Sequence, residues 1–162
     1  IIYYKFIYFF PLTKIYMTDI KLLELQPEKI TDSNIIFSDN PNCCEGMILV
    51  YADWCPHCVD FKPTYNYLTR LFDDLDKGGK VKLNNNKVII GNKSQVPKLW
   101  AMNIDNHKNN PKGKNLEFVQ GFPTILIVRD INGKEGKIET FKGNRSIPNI
   151  LEKFKTTLGM KN

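Results

Sequence analysis

Four cysteines stand in this chain of 162 residues, and two of them, Cys55 and Cys58, are separated only by Pro56 and His57. Two thiols at that spacing can close a disulfide, and a disulfide that reopens carries two electrons. Exchange of this kind needs a thiolate that attacks and a second thiol near enough to resolve the mixed disulfide. Pro56 suits the first position of a helix, because its missing N–H would be unpaired there anyway. A helix starting at Pro56 puts Cys55 at the positive end of the dipole, beside unpaired N–H groups, and both effects lower a thiol pKa. Cys58 then follows one turn later on the same face, within bonding reach. Attack is therefore expected from an exposed Cys55 and resolution from Cys58. His57 between them can turn a positive charge or a donor toward the Cys55 sulfur, which favours the reduced form and makes the disulfide a better oxidant. A solvent-exposed linker histidine is the plainer reading.

The other two cysteines, Cys43 and Cys44, are neighbours at the start of the apolar run Met47 to Ala52. At ~3.3 Å per strand residue, seven or more residues place them ~20 Å or more from Cys55. They read as incidental thiols, or as an accessory redox or intermolecular pair. A zinc site drawing on both cysteine pairs, with His107, would need four ligands converging at ~2.0–2.3 Å, which the intervening strand prevents. No metal and no cofactor is expected.

The elements that position Cys55 and Cys58 follow from apolar patterning. Ile20 to Leu25 reads as a short strand ended by Pro27, and Thr31 to Glu45 as a polar loop. Met47 to Ala52 is short and continuously apolar, which suits a strand buried on both faces. The helix from Pro56 runs to about Asp74, with Phe61, Tyr65, Leu68 and Leu71/Phe72 along one side, and Pro63 within it is expected to kink it. Lys80 to Leu83 and Lys87 to Ile90 flank Asn84-Asn85-Asn86 as a hairpin. Leu99 to Ile104 is the next strand, and Asn106 to Asn115 a loop with room for a short helix. Phe122 to Val128 is another buried strand, with a hairpin partner at Lys137 to Phe141. A last helix begins near Ser146 and turns Ile147, Ile150, Leu151 and Phe154 inward, with Gly159 after its end. Strands alternating with helices predict an α/β sandwich around one central sheet.

Size and composition fit one domain with a proper core. The formal charge of +6 comes from scattered lysines, with no basic block or arginine-rich helix that would mark a nucleic-acid face. Residues 1–16 are apolar and aromatic at their start but too short for a bilayer span of ~20 residues, so no stable membrane span is expected. They are read as an extension outside a domain of residues 17–162, with a signal or anchor as the alternative. The compartment stays open between cytoplasmic, virion-associated and secretory placements.

Taken together, the segments resemble the thioredoxin and protein disulfide isomerase family. Val50 to Cys58 is similar to its strand, tryptophan and C-x-x-C, and Pro63 falls at its helix-kinking proline. Asn103-Ile104-Asp105 resembles the end of its next strand, Gly121-Phe122-Pro123-Thr124 its cis-proline loop, and Gly143 its residue before the final helix. The likeness covers residues 20–158, with a hairpin-like insertion near residues 78–97. It implies the thioredoxin fold, a mixed central sheet flanked by helices. It also implies a thiol–disulfide oxidoreductase that exchanges disulfides with protein thiols, served by an unidentified electron donor or acceptor. The Pro56-His57 pair is similar to that of bacterial periplasmic oxidants, and His57 alone to disulfide isomerases, so the lean is toward oxidase or isomerase. The alternatives are a reductase and a non-catalytic binding module. The resemblance further implies that Trp54 shields the disulfide and that a cis Pro123 exposes the Phe122 backbone for strand pairing with substrate. Pro123 as an ordinary trans proline opening a strand is the competing reading. Many family members bury an acid under the second cysteine, and thioredoxins add a lysine beside it; the aligned residues here are Leu49 and Ala101. Losing both together is coherent, since either alone would be an uncompensated buried charge. The proton on Cys58 is then left without an evident acceptor.

Overall fold

The computed structural model describes residues 23–25, 27–37, 45–76, 81–83, 86–88, 97–108, 116 and 118–157. Its centre is β4 (Gly46–Tyr51), buried along its whole length. On one side β4 pairs in parallel with β7 (Lys98–Asn103), and on the other it pairs antiparallel with β8 (Thr124–Asp130). With β1 (Leu23–Glu24), β2 (Pro27–Ile30), β3 (Asn34–Phe37) and β9 (Glu135–Thr140), these strands form a mixed seven-stranded sheet ordered β1-β7-β4-β8-β9-β3-β2. The helices are α1 (Pro56–Asp76), α2 (Ile104–Lys108) and α3 (Ile147–Thr157). This is the α/β architecture expected from the sequence.

Gly46 opens β4 opposite Lys98 of β7. A Cβ there would lie 1.8 Å from the Lys98 carbonyl oxygen and 2.7 Å from the Trp100 ring, so no other residue fits without moving backbone. Helix α1 is fastened to the sheet by Tyr65, whose buried hydroxyl donates to the Trp100 carbonyl at 2.6 Å and also lies 3.2 Å from that of Met47. Its phenol is held far above the ordinary tyrosine range by burial. Leu68 and Phe72 continue the buried side, and Phe72 meets Phe154 of α3 edge-on at 5.2 Å. Pro63 lies within α1 on its exposed side.

Two expectations change. Pro27 opens a strand where it was read as ending one, which the first position of a strand allows. Thr31 to Glu45 is not one polar loop, because β3 occupies Asn34–Phe37 with Ile35 and Phe37 buried. Thr31 makes the tight turn between β2 and β3, its Oγ1 accepting the Asn34 N–H at 3.0 Å while its own N–H donates to the Asn34 carbonyl at 2.8 Å. The alternating burial of β3 was hidden behind polar Thr31, Asp32, Ser33 and Asn34. This hairpin also shows how far the sheet rolls. Six spacings of ~4.8 Å would set the outer strands about 29 Å apart if the sheet were flat, whereas the connection from Glu24 to Pro27 reaches about 11 Å at most. The sheet therefore curls until Phe37 of β3 packs on Trp100 of β7, with ring centroids 5.3 Å apart, although three strands separate them.

The remaining boundaries shift by a few residues. The insertion near residues 78–97 contains β5 (Val81–Leu83) and β6 (Asn86–Val88), an antiparallel pair apart from the main sheet. Ile104, read as the end of a strand, begins α2. The strand expected from Phe122 starts at Thr124, since the preceding loop is given over to the cysteines. Residues 1–16, Cys43, Cys44 and the side chain of His107 lie outside the described residues.

Candidate active site

Strand β4 stops at Tyr51, and four residues later Cys55 ends the loop that leads into α1. Its N–H donates to the Ala52 carbonyl at 3.2 Å, and its own carbonyl accepts the N–H groups of Cys58 and Val59 at 3.0 and 3.1 Å. Helix geometry thereby sets both thiols at one end of α1, and both are free. Cys58 is almost sealed, at 1% exposure. Cys55 retains 7%, less than an exposed nucleophile would. The cause is the loop before β8: the Cys55 Sγ–H donates to the Phe122 carbonyl at 3.6 Å, and Pro123 is buried beside it. The Phe122–Pro123 peptide bond is cis. Trp54 stands at the mouth, 61% exposed, with its indole edge-on to Phe122 at 6.0 Å. Pro56 and His57 face solvent on the first turn. The structure thus brings Trp54, Cys55, Cys58, Phe122 and Pro123 together, with His57 at the rim.

The two strand positions that the resemblance sets under the second cysteine carry no polar side chain. Leu49 and Ala101 are register partners on β4 and β7, and each is fully buried. Burial is the main reason that the Cys58 thiol is pushed up to about 11. The adjacent Cys55 pushes it the same way, while the Ala52 backbone and the positive charge of Lys62 pull it down.

Beside the pair lies a polar network that the sequence reading did not single out. Lys62 of α1 donates to Asp53 Oδ1 at 2.8 Å, and its ammonium sits 4.5 Å from the centre of the Tyr51 ring. Asn103, buried at the end of β7, donates to Asp53 Oδ2 at 2.6 Å and accepts the Asp105 N–H at 3.0 Å. Asp105 in turn accepts the Trp54 indole N–H at 3.1 Å. Glu24 of β1 accepts the Tyr51 hydroxyl at 2.7 Å and the Asn103 N–H at 3.3 Å. The Lys62 ammonium holds the Asp53 carboxyl below the usual carboxylate range. Burial, helped by Glu24, keeps the Tyr51 phenol protonated well above the ordinary range. One signal was legible: Lys62 falls four residues after Cys58, the spacing that aligns two side chains on a helix.

A profile of the thioredoxin family matches residues 37–156. The chain belongs to the thioredoxin family. It is 30% identical over 109 residues to a protein disulfide-isomerase of Zea mays, a match covering 67% of this chain and 17% of that protein. It is 29% identical over 106 residues to bloodstream-specific protein 2 of Trypanosoma brucei brucei, covering 65% of this chain and 16% of that one. The matched region is thus less than a fifth of either relative's length. As a member of the thioredoxin family the chain places a close cysteine pair where α1 leaves the central sheet. Among the described residues no three His, Cys, Asp or Glu side chains are gathered as a metal would require. No described helix is long and apolar enough to cross a membrane.

Proposed function

We propose that this domain is a protein thiol–disulfide oxidoreductase, with Cys55 as nucleophile and Cys58 as resolving thiol. The observation that carries the reading is the pairing itself: two free thiols one turn apart at the start of a 21-residue helix, the outer one hydrogen-bonded to the Phe122 carbonyl. The Cys55 thiolate attacks a client disulfide, one client sulfur leaves with the electron pair and takes a proton, and a mixed disulfide remains. Cys58 then attacks Cys55, so the pair ends oxidised and the client reduced by two electrons. The reverse sequence oxidises a client dithiol. An extended client segment lies along the Phe122 backbone, with Trp54 and Phe122 offering aromatic contact.

The direction proposed is oxidation or isomerisation, and the residue that favours it is His57. An imidazolium beside the Cys55 thiolate favours the dithiol form and so raises the potential. Equilibration with glutathione should give a potential above the ≈ −270 mV of thioredoxin, and replacing His57 with a non-ionisable residue should lower it. Cys58→Ala should accumulate mixed disulfides with client proteins. Exchange activity surviving in Cys55→Ser would refute the assignment, and a potential at or below that of thioredoxin would make the domain a reductase.

A further inference from the structure

We propose that Lys62 is the positioning residue that readies Cys58 for its resolving attack, its ammonium held at the rim by Asp53 and the Tyr51 ring so that the charge lies beside the thiol. The inference rests on the oxidoreductase reading and concerns its second step. In that step the Cys58 thiol loses its proton to water and the thiolate attacks the Cys55 sulfur. The bond from Cys55 to the client sulfur breaks, and the client sulfur leaves with the electron pair and is protonated by solvent. The difficulty is the first event, because Cys58 is nearly sealed and Leu49 and Ala101, which the family resemblance sets beneath it, supply no base.

Geometry singles out Lys62. Side chains at positions i and i+4 of a helix have Cβ atoms roughly 5–6 Å apart, so Cys58 and Lys62 are neighbours on α1. Lys62 is restrained twice, by the 2.8 Å bond to Asp53 and by the Tyr51 ring, and its side chain is only 31% exposed. A lysine held in this way keeps its charge in one place, where a free surface lysine would not. The other titratable groups around it are few. Cys55 ends the loop just before α1, Asp53 and Tyr51 come from β4 and that loop, and Glu24 of β1 and Asp105 of α2 stand further out, joined through Asn103. His57, exposed on the first turn of α1, is the other group there able to carry positive charge, and Lys62, with the Ala52 backbone, pulls the Cys58 titration down against burial.

The test uses the full chain with Cys43 and Cys44 replaced by Ser, reduced and mixed rapidly with dithiobis-nitrobenzoate. Attack by Cys55 releases one coloured thiolate, and attack by Cys58 on the resulting mixed disulfide releases a second. Lys62→Gln should slow the second release relative to the first by roughly threefold to tenfold at neutral pH, the equivalent of about half to one pH unit. The difference should vanish at alkaline pH, where Cys58 ionises regardless, and Lys62→Arg should restore most of the rate. A second release in Lys62→Gln with the rate and pH profile of the parent, or a Lys62→Arg protein as slow as Lys62→Gln, would overturn the proposal. Absence of the first release in the parent protein would instead overturn the oxidoreductase reading beneath it.

Discussion

The floor and the rim of the cysteine site are built on opposite principles. Leu49 and Ala101, which the family resemblance sets under Cys58, face each other across β4 and β7 and are fully buried and apolar. At the rim, where the same two strands end, Tyr51, Asp53, Asn103 and Asp105 join Lys62 and Glu24 in one hydrogen-bonded network. An ion pair in the floor would lose several kcal/mol of hydration per ion before attraction repaid it. At the rim the same charges stay partly hydrated, so they are easily held but act more weakly. The difference has a chemical consequence. Burial leaves Cys58 holding its proton up to about 11, and against it work the Ala52 backbone and the Lys62 charge at the rim.

The comparison breaks most visibly if charge is forced into the floor. Leu49→Asp should lower stability by about 3–5 kcal/mol at neutral pH, since it places an unpaired carboxylate in a sealed apolar position. The sign with pH follows from burial raising the folded-state pKa of that carboxyl. Stability should be greatest below the unfolded value of ~3.9 and should fall as pH rises toward the folded value. Adding Ala101→Lys should give a double variant less destabilised than the sum of the two single ones, because the register sets the two side chains side by side. Denaturant melts across pH measure all three. A loss below about 1 kcal/mol for Leu49→Asp would mean that water already reaches the floor.

A smaller effect is expected where floor and rim meet, at Asn103. Its amide satisfies Asp53 and the Asp105 N–H, and it is itself buried. Asn103→Ala should cost about 1–3 kcal/mol by leaving those groups without their partner. Asp105 also anchors the Trp54 indole, so tryptophan fluorescence should shift in the same variant. Unchanged fluorescence would detach Trp54 from the network.

How much of this could be read in advance follows from range. The strand at Met47 to Ala52, the helix start at Pro56 and the buried side through Tyr65 and Leu68 are local patterns, and the sequence displays them directly. The loop at Gly121 to Thr124 was found through family resemblance, which placed Phe122 beside Cys55 across 67 residues of chain. Apolar floor positions 49 and 101 were legible for the same reason. Two features were not. The β3 strand has its alternation interrupted by turn residues, and its burial depends on a sheet that rolls far enough for Phe37 to reach Trp100. The rim network is made of ordinary polar residues from four segments, and nothing in Asp53 or Lys62 alone separates a clamped pair from solvated surface charges. Even the exposure expected for Cys55 failed on a long-range contact, since the Phe122 and Pro123 loop that covers it comes from the other half of the chain.

The smallest expected effect lies wholly in the rim and asks what the clamp contributes to stability as opposed to chemistry. The Lys62 ammonium lowers the Asp53 carboxyl below its ordinary range, so the folded state binds the proton less readily than the unfolded one. The stabilisation is therefore present above the unfolded value of ~3.9 and is lost as pH falls through the lower folded value. Its size is limited, because the Asp53 side chain is 63% exposed and exposed pairs give about 0–1 kcal/mol. Asp53→Asn tests this cleanly, since its amide oxygen can still accept from Asn103 while the charge is gone. At neutral pH and low salt the variant should be slightly less stable than the parent. The gap should close at acid pH, where Asp53 is protonated anyway, and should shrink as salt is raised, because screening at 0.1 M acts over ~10 Å. A gap that persisted unchanged through acid pH and high salt would show that Asp53 works as a hydrogen-bonding strut, with its charge irrelevant to stability.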